Sequence, residues 1–208
     1  PKPGTTTPSK PGTTTPSKPG TTTPSKPGGS TTTPSKPAPD AVTPADATPE
    51  KDWEYFVEGG KISIYGYKGT SGAIKIPATI GGVQVDAVRL NDLPITSIDL
   101  TGATNLTILS CYNGQLTTLT VPKNCPLKEL AVSTNKLTSL NVTAAPQLLE
   151  LNCNDNQLTA LDVSKNPDLL TLSCNNNKLS SLDLSNNKYL SDLSCGQNNF
   201  TSLSLRNF

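Results

Sequence analysis

The sequence predicts a mostly β solenoid with a parallel sheet, preceded by a small β cap and a disordered linker. Apolar side chains recur every 21 residues in the C-terminal half, at Ile95, Leu116, Leu137, Leu158, Leu179 and Phe200. Residues 51–93 contain short alternating runs between glycine pairs, and residues 1–50 almost lack large apolar side chains. A fixed period of this size is typical of a solenoid, because each coil buries its apolar side chains against neighbouring coils.

Residues 1–50 form a low-complexity segment in which the unit PGTTTPSK recurs from Pro3 onward. The segment has no aromatic residue and one large aliphatic residue, Val42. It cannot bury enough apolar surface to offset its ordering entropy, so we expect a disordered linker. At about 3.1 Å per residue, an extended linker of this length would span up to roughly 150 Å. A proline-rich ligand for a peptide-binding domain is the alternative, and the composition also suits O-glycosylation of a secreted stalk.

Residues 51–93 do not follow the 21-residue period, and we interpret them as an N-terminal cap. The segments 61–65, 73–76 and 83–85 alternate in polarity and are separated by glycine-rich turns, as expected for short strands. A solenoid needs a cap because its first coil would otherwise expose an apolar end. We expect Trp53 to be buried in this cap, and an aromatic platform for carbohydrate at Trp53 is the alternative.

Residues 94–208 form the predicted solenoid, and the coil that starts at Leu158 illustrates its repeat. This coil contains the motif L-x-x-L-x-C-x-x-N-x-L, whose fixed places hold Leu169, Leu172, Cys174, Asn177 and Leu179. Residues 172–174 should alternate inward and outward as a short strand with one buried face. Strands of successive coils would then lie parallel, about 4.8 Å apart, and form one continuous sheet. The other half of each coil is too short for a helix, so we expect an extended or turn-like return.

One asparagine position recurs in four coils, at Asn135, Asn156, Asn177 and Asn198. It follows each predicted strand, where the chain turns and backbone groups would otherwise be buried without partners. We expect each amide to point inward and to bond backbone groups of its own coil and of the next one, forming a ladder. The inward direction argues against a role in ligand binding.

Four cysteines share a second column, at Cys111, Cys153, Cys174 and Cys195, and Val132 completes it. A valine in this column indicates a site for a small apolar side chain, which is how free cysteine behaves in cores. One disulfide and a metal site are the alternatives. However, three adjacent thiols cannot all pair, and a linear row without histidine does not present ligands tetrahedrally. Cys125 lies off the column in a connecting turn, so we expect it to be the exposed thiol.

These motifs resemble those of bacterial leucine-rich repeat proteins. The 21-residue unit with its cysteine column resembles the cysteine-ladder repeat among the internalins, over roughly residues 85–208. Within the cap, the segment YGYKGTSGAIKIPATIGGVQVDAV resembles the opening of the repeats in BspA-like surface proteins. The internalin resemblance implies a leucine-rich repeat solenoid whose parallel strands line a concave face. It also implies that this face binds protein partners, often in adhesion to host surfaces.

The strand register predicts which side chains face outward on the concave face. The candidate binding residues in these outward columns are Ile108, Tyr112, Glu129, Glu150, Asn154 and Asp192. The predicted face is otherwise small and polar, and Ile108 and Tyr112 are its large apolar side chains. Isolated aromatic residues of this kind are favoured as interface hot spots. A solvated face without any ligand is the alternative.

Glu129 and Glu150 occupy the same outward position in adjacent coils, so we expect their side chains roughly 5 Å apart, as in a retaining glycosidase pair. Like charges directly opposite each other are mildly destabilising, which invites a reason for their presence. We do not expect catalysis, because an open sheet face offers no pocket that excludes water. A weak contact with a cation or a basic peptide, or incidental surface charge, is the expected role.

The composition argues against several classes of function. The sequence contains no histidine, which removes the commonest metal ligand and any Ser-His or Cys-His nucleophile pair. The formal net charge is +1, and no basic cluster indicates nucleic-acid binding. Nothing approaches 18 consecutive apolar residues, so we expect no membrane span. The chain opens inside a low-complexity repeat, so we interpret it as a mature part of a longer protein.

We therefore expect a secreted or cell-surface binding module without catalytic activity, cofactor or metal. Its expected partner is an extracellular or host-surface protein, with a glycan as the alternative ligand. The inference of export depends on the Thr/Pro-rich linker alone. The alternative function is an accessory, non-catalytic module of a larger exported enzyme that acts on polysaccharide or protein.

Overall fold

The computed structural model describes residues 48–201 and residue 203. The linker predicted for residues 1–50 therefore lies outside the described residues, except for its last three. The described part is nearly all β, with one short 3-10 helix, Glu50–Asp52. Its strands are β1 (Trp53–Glu58), β2 (Lys61–Tyr67), β3 (Ala73–Lys75), β4 (Thr79–Ile80), β5 (Val83–Arg89), β6 (Ser97–Asp99), β7 (Ile108–Ser110), β8 (Thr118–Thr120), β9 (Glu129–Ala131), β10 (Glu150–Asn152), β11 (Thr171–Ser173) and β12 (Asp192–Ser194). Within the described residues, no helix is long and apolar enough to cross a membrane.

Two sheets run along the stack of coils. The larger sheet has nine strands in the order β1-β2-β5-β7-β9-β10-β11-β12, with β4 attached to β5. The smaller sheet contains β3, β6 and β8. From β5 onward, each strand of the larger sheet pairs in parallel with the equivalent residues of the next coil. This in-register pairing confirms the predicted solenoid and its parallel sheet.

The interior of the stack consists of columns of apolar side chains, one from each coil. Leu109 pairs with Leu130 and Leu151 with Leu172 across successive strands, and all four side chains are buried. Because each coil covers the column below it, burial is continuous along the solenoid. Full burial of one such side chain contributes about 2 kcal/mol relative to exposure.

The asparagine column forms the predicted ladder, but in the opposite direction. Asn156 accepts a hydrogen bond from the backbone N–H of Leu137 at 3.0 Å, which ties the end of its coil to the beginning. Its amide nitrogen donates to the carbonyl of Cys153 at 3.2 Å and to that of Val132 in the preceding coil at 2.9 Å. Asn135 and Asn177 repeat this arrangement. The bonds between coils therefore reach back to the preceding coil and not forward to the next.

The cysteine column is confirmed as part of the core. Cys111, Cys153 and Cys174 are fully buried, as is Val132 in the same column, and Cys195 is half-buried at the C-terminal end. The five cysteines of the chain are free thiols. Their common environment is apolar, which explains why valine can take one of the places.

Cys125 is also buried, with 2% of its surface exposed, so the prediction of an exposed thiol is wrong. The 21-residue period aligns Asn124 with Ala145, but Asn124 adopts a left-handed conformation with φ of 59° and moves Cys125 into the inward place. The N–H of Cys125 donates to the carbonyl of Pro122 at 3.2 Å, three residues earlier. Ala145 makes the same bond to the carbonyl of Val142 at 3.0 Å.

The cap continues the larger sheet instead of forming a separate layer. β1 and β2 form an antiparallel hairpin, closed by Gly59 and Gly60 with φ of 56° and 74°, and β2 then pairs in parallel with β5. Trp53 is buried, and its ring centroid lies 5.2 Å from that of Tyr67. The predicted burial of Trp53 is therefore confirmed, and its ring is not available as a carbohydrate platform.

Candidate functional site

Four of the predicted binding residues lie in one row across the larger sheet. Ile108 pairs with Glu129 and Glu129 with Glu150, and the row continues through Thr171 to Asp192. The three carboxylate residues are exposed, and Ile108 is half-buried. The row exists because paired residues of adjacent strands point to the same side of a sheet. These residues therefore share one surface, as the register predicted.

Tyr112 and Asn154 lie just beyond the strands, at the edge of the same surface. Tyr112 is 42% exposed, and its backbone N–H donates to the side-chain oxygen of Asn91 at 3.2 Å. Asn154 is half-buried, and its side-chain oxygen accepts the N–H of Asn175 at 2.7 Å. The ring of Tyr112 is therefore accessible to a partner, whereas the side-chain oxygen of Asn154 is already engaged in a hydrogen bond within the fold.

Asn154 belongs to a second side-chain ladder, which was not among the features predicted from the sequence. Asn175 accepts the N–H of Gly196 at 2.7 Å in the same way, one coil later. Asn91 has the equivalent role at the start of the column. The recurrence of asparagine at Asn91, Asn154 and Asn175 was the available signal, because an outward amide beside a strand end can still reach the next coil. This ladder stiffens the border of the surface.

The cap adds aromatic side chains to this surface, and these side chains were not among the predicted binding residues. Ser63 in β2 pairs with Ala87 in β5, so the outward side of the hairpin is continuous with the row of Ile108. Phe56 and Tyr65 lie on the hairpin with stacked rings, 6.2 Å between centroids, and are 46% and 56% exposed. The alternation of residues 61–65 could have indicated this, because it places Tyr65 on the side opposite the buried Ile64.

The surface carries most of its aromatic and apolar side chains at one end, together with the exposed Arg89, and its carboxylates at the other end. Phe56, Tyr65, Ile108 and Tyr112 lie towards the cap, whereas Glu129, Glu150 and Asp192 lie on the later coils. The ion pairs between described residues are Lys61 with Asp86, Lys68 with Glu54, and Lys75 with Asp99. None of them involves the three acidic residues of the later coils, so these carboxylates have no ion-pair partner among the described residues.

Glu129 and Glu150 are direct neighbours on adjacent strands, as predicted. Both are exposed on an open strand surface, so water reaches both carboxylates freely. A retaining glycosidase pair needs a site that orients the sugar and excludes water between the two carboxylates. The arrangement instead provides two adjacent negative charges that can contact a cationic group on a partner.

The buried thiols are unsuited to nucleophilic chemistry. Burial raises the pKa of Cys111 to about 11 and that of Cys174 to about 12, with a further contribution from Cys195 at Cys174. Burial and the neighbouring Cys174 also raise the pKa of Cys153. The thiolate is the reactive form of cysteine, so these groups are inert at neutral pH. The described residues contain no group of three or more side chains with metal-ligand chemistry.

The fold and the repeat define a leucine-rich repeat solenoid with a cysteine ladder. Among solved structures, the chain is similar to the functional domain of the internalin InlJ from Listeria monocytogenes, described as including a cysteine ladder. The identity is 28%, with 64% of this chain and 34% of that chain covered and a TM-score of 0.47. It is also similar to the internalin InlF from Listeria monocytogenes, at 18% identity, with 67% of this chain and 54% of that chain covered and a TM-score of 0.46.

The internalins are the family that the repeat motif resembles, and both of these solved structures are internalins. The chain spans about a third of the first internalin and about half of the second. Both TM-scores are below 0.5, so the fold assignment depends on the coil geometry described above. No family model matches the chain, and no curated protein matches its sequence. The BspA-like character of the cap stays a prediction.

Proposed function

We propose that this chain is a secreted or surface-displayed binding module without catalytic activity, and that it recognises a protein partner through the concave face. The observation that carries the proposal is a single continuous surface with aromatic side chains at one end and acidic side chains at the other. Aromatic side chains at one end and unpaired carboxylates at the other are the features that anchor and orient a protein partner.

The geometry of the surface supports a macromolecular partner better than a small molecule. Its side chains are presented by parallel strands on an open face, whereas small-molecule sites are concave pockets that enclose most of the ligand. The strands are held in register by the backbone ladder and by the asparagine ladders. Such a rigid surface loses little conformational entropy on binding, which favours recognition by preformed contacts.

The polarity of the surface predicts a specific partner chemistry. The aromatic end around Phe56, Tyr65 and Tyr112 requires an apolar patch on the partner. The acidic end around Glu129 and Glu150 requires Lys or Arg. We therefore expect an extracellular protein that presents a basic patch next to an apolar one, and an association rate that falls as salt screens the charges.

The test is affinity capture with the immobilised full chain, from extracellular protein extracts and from wall polysaccharides, followed by binding measurements with each purified captured species. Tyr112→Ala and Glu150→Lys should each weaken binding of the true partner by tenfold or more. Tyr189→Ala is the matched control, because Tyr189 is 66% exposed but is not part of the concave face. Binding that survives both concave-face changes would contradict the proposal, whether or not the control retains it, as would capture of polysaccharide alone.

A further inference from the structure

The larger sheet has an unpaired edge at β1. In the strand order, β1 is terminal and pairs only with β2 among the described residues. The two-residue turn at Gly59 and Gly60 makes Glu58 and Lys61 the closing hydrogen-bonded pair of the hairpin. Hydrogen-bonded and non-bonded pairs then alternate from the turn as far as Tyr55, beyond which the register of β1 and β2 shifts. The N–H and C=O groups of Tyr55 and Val57 therefore point away from β2, towards the open edge.

The side chains at this edge are apolar and incompletely covered. Tyr55 pairs with Ile64 and Val57 with Ile62, so each shares its partner's side of the sheet. The partners Ile64 and Ile62 are 0% and 1% exposed, whereas Tyr55 and Val57 are 38% and 55% exposed. The difference arises because no described strand lies beyond β1. An additional strand at this edge would place its own inward side chains beside Tyr55 and Val57 and bury them.

The charge around the edge is negative. Glu50, Lys51 and Asp52 precede β1, and Glu58 ends it, so three carboxylates stand against one lysine. None of the ion pairs between described residues involves these three carboxylates, whereas Glu54 is paired with Lys68 at 2.8 Å. A second copy of β1 in antiparallel register around Phe56 would place Glu54 opposite Glu58, which is repulsive. A basic segment would instead complement the edge.

We propose that the edge of β1 binds an extended, basic polypeptide segment of a partner protein by β-strand addition. The segment hydrogen-bonds to the backbone of Tyr55 and Val57, and its alternate apolar side chains pack beside their side chains. Its lysine or arginine residues contact Glu50, Asp52 and Glu58. In this mode, backbone bonds supply affinity, and alternate side chains supply specificity. The open edge of β1 borders the concave face, to which Phe56 contributes, but the proposed backbone pairing does not depend on the proposed function of that face.

The test uses a synthetic, end-blocked, fluorescently labelled peptide in which lysine and threonine alternate with valine. A version with glutamate in place of lysine and a version with a central proline are the peptide controls. Binding to the full chain is measured by fluorescence anisotropy and by the emission of Trp53, the single tryptophan, which lies in β1. The lysine peptide should bind and should weaken as salt is raised to about 0.5 M, because the charges are screened. The two control peptides should not bind.

Two variants of the chain distinguish backbone pairing at the edge of β1 from non-specific adsorption of the peptide. Val57→Pro removes the N–H at the open edge but none of the bonds between β1 and β2, so it should weaken binding on the order of tenfold or more. Val57→Thr retains the N–H and is the matched control. Glu58→Lys should weaken binding of the lysine peptide and permit binding of the glutamate peptide. It also keeps the test valid if Val57→Pro does not fold.

Several results would overturn the proposal. The first is failure of the lysine peptide to bind, and the second is binding that Val57→Pro and Glu58→Lys leave unchanged. The third is loss of peptide binding in Tyr112→Ala instead, which would place the peptide on the concave face. Light scattering that shows a dimer of the chain, converted to a monomer by Val57→Pro, would assign the edge to a second copy and would also overturn it.

Discussion

Two buried asparagines should differ sharply in their contribution to stability, although the same atoms are removed from each by substitution with alanine. Asn156 accepts a hydrogen bond from the N–H of Leu137 at 3.0 Å and donates to three backbone carbonyls at 2.9–3.2 Å. Asn166 donates to the carbonyls of Val142 and Ala145 at 3.0 and 2.7 Å. The side-chain oxygen of Asn166 is buried without a partner.

The expected magnitudes follow from which groups lose their last partner. In Asn156→Ala, the buried N–H of Leu137 has no other acceptor, and an unsatisfied buried donor costs about 1–3 kcal/mol. With the other lost bonds, the free energy of unfolding should fall by about 3 kcal/mol. In Asn166→Ala, each carbonyl keeps a backbone donor, the N–H of Ala145 at 3.0 Å and that of Leu148 at 3.2 Å. Its cost should be about 1 kcal/mol or less, because an unpartnered buried oxygen is also removed.

The measurement is urea unfolding of the full chain, followed by far-ultraviolet circular dichroism and by the fluorescence of Trp53. Coincidence of the two transitions is required for a two-state free energy, because solenoids can unfold in parts. The free energy of unfolding of Asn156→Ala should be about 2 kcal/mol lower than that of Asn166→Ala. Equal destabilisation of the two variants, or a larger effect at Asn166, would refute the assignment of the ladder bonds.

Further outcomes are expected from the cysteine column and the acidic row. Cys153→Val should cost less than about 1 kcal/mol in urea unfolding, whereas Cys153→Ser should cost about 2 kcal/mol because it buries a hydroxyl without a partner. In thiol labelling at pH 8, Cys195 should react first, and five thiols should react after unfolding; fewer would indicate a disulfide. Burial raises the pKa of Cys111 from its ordinary value of 9.0 to about 11, so the folded protein holds this proton more tightly than the unfolded chain does. The resulting contribution to the free energy of unfolding is present below pH 9.0 and is lost as the pH rises towards about 11. Unfolding measured across this range should be less pH-dependent in Cys111→Val than in the original chain. Glu150→Gln should raise the free energy of unfolding by about 0.5 kcal/mol, since it removes repulsion from Glu129, and an unchanged midpoint would contradict this.

The regular coils could be predicted from the sequence because residues that share a column of the repeat also share the same surroundings in the fold. Leu172, Cys174 and Asn177 each repeat with the period, so burial inferred for one coil holds for its neighbours. Cys125 could not be placed in this way, because the left-handed conformation of Asn124 shifts the chain by one position within a single coil. A period describes the average coil and does not contain such a local change.

The candidate site was predicted in part for a similar reason. Glu129 and Glu150 lie where the register placed them, because both belong to regular strands. Phe56 and Tyr65 were missed because the cap has no period, and only the parallel pairing of β2 with β5 places them on the same surface. The use of the Asn154 carbonyl within the fold could not be inferred from exposure, since it depends on the distance to the next coil.

The smaller sheet ends at β8, and this gives the two walls of the stack different mechanical properties. The concave wall has a backbone ladder from β5 to β12, so its coil spacing is fixed at about 4.8 Å. Past β8, the opposite wall is linked by a backbone bond from the N–H of Cys125 to the carbonyl of Ala144 and by the side chains of Asn166 and Asn187, which reach the carbonyls of Val142 and Val163, each bond being 3.0 Å long. The coil spacing at that wall can increase or decrease with less resistance. Bending of the solenoid should therefore change the spacing of the coils at the opposite wall, while the strands of the concave wall stay paired, in register and at constant spacing.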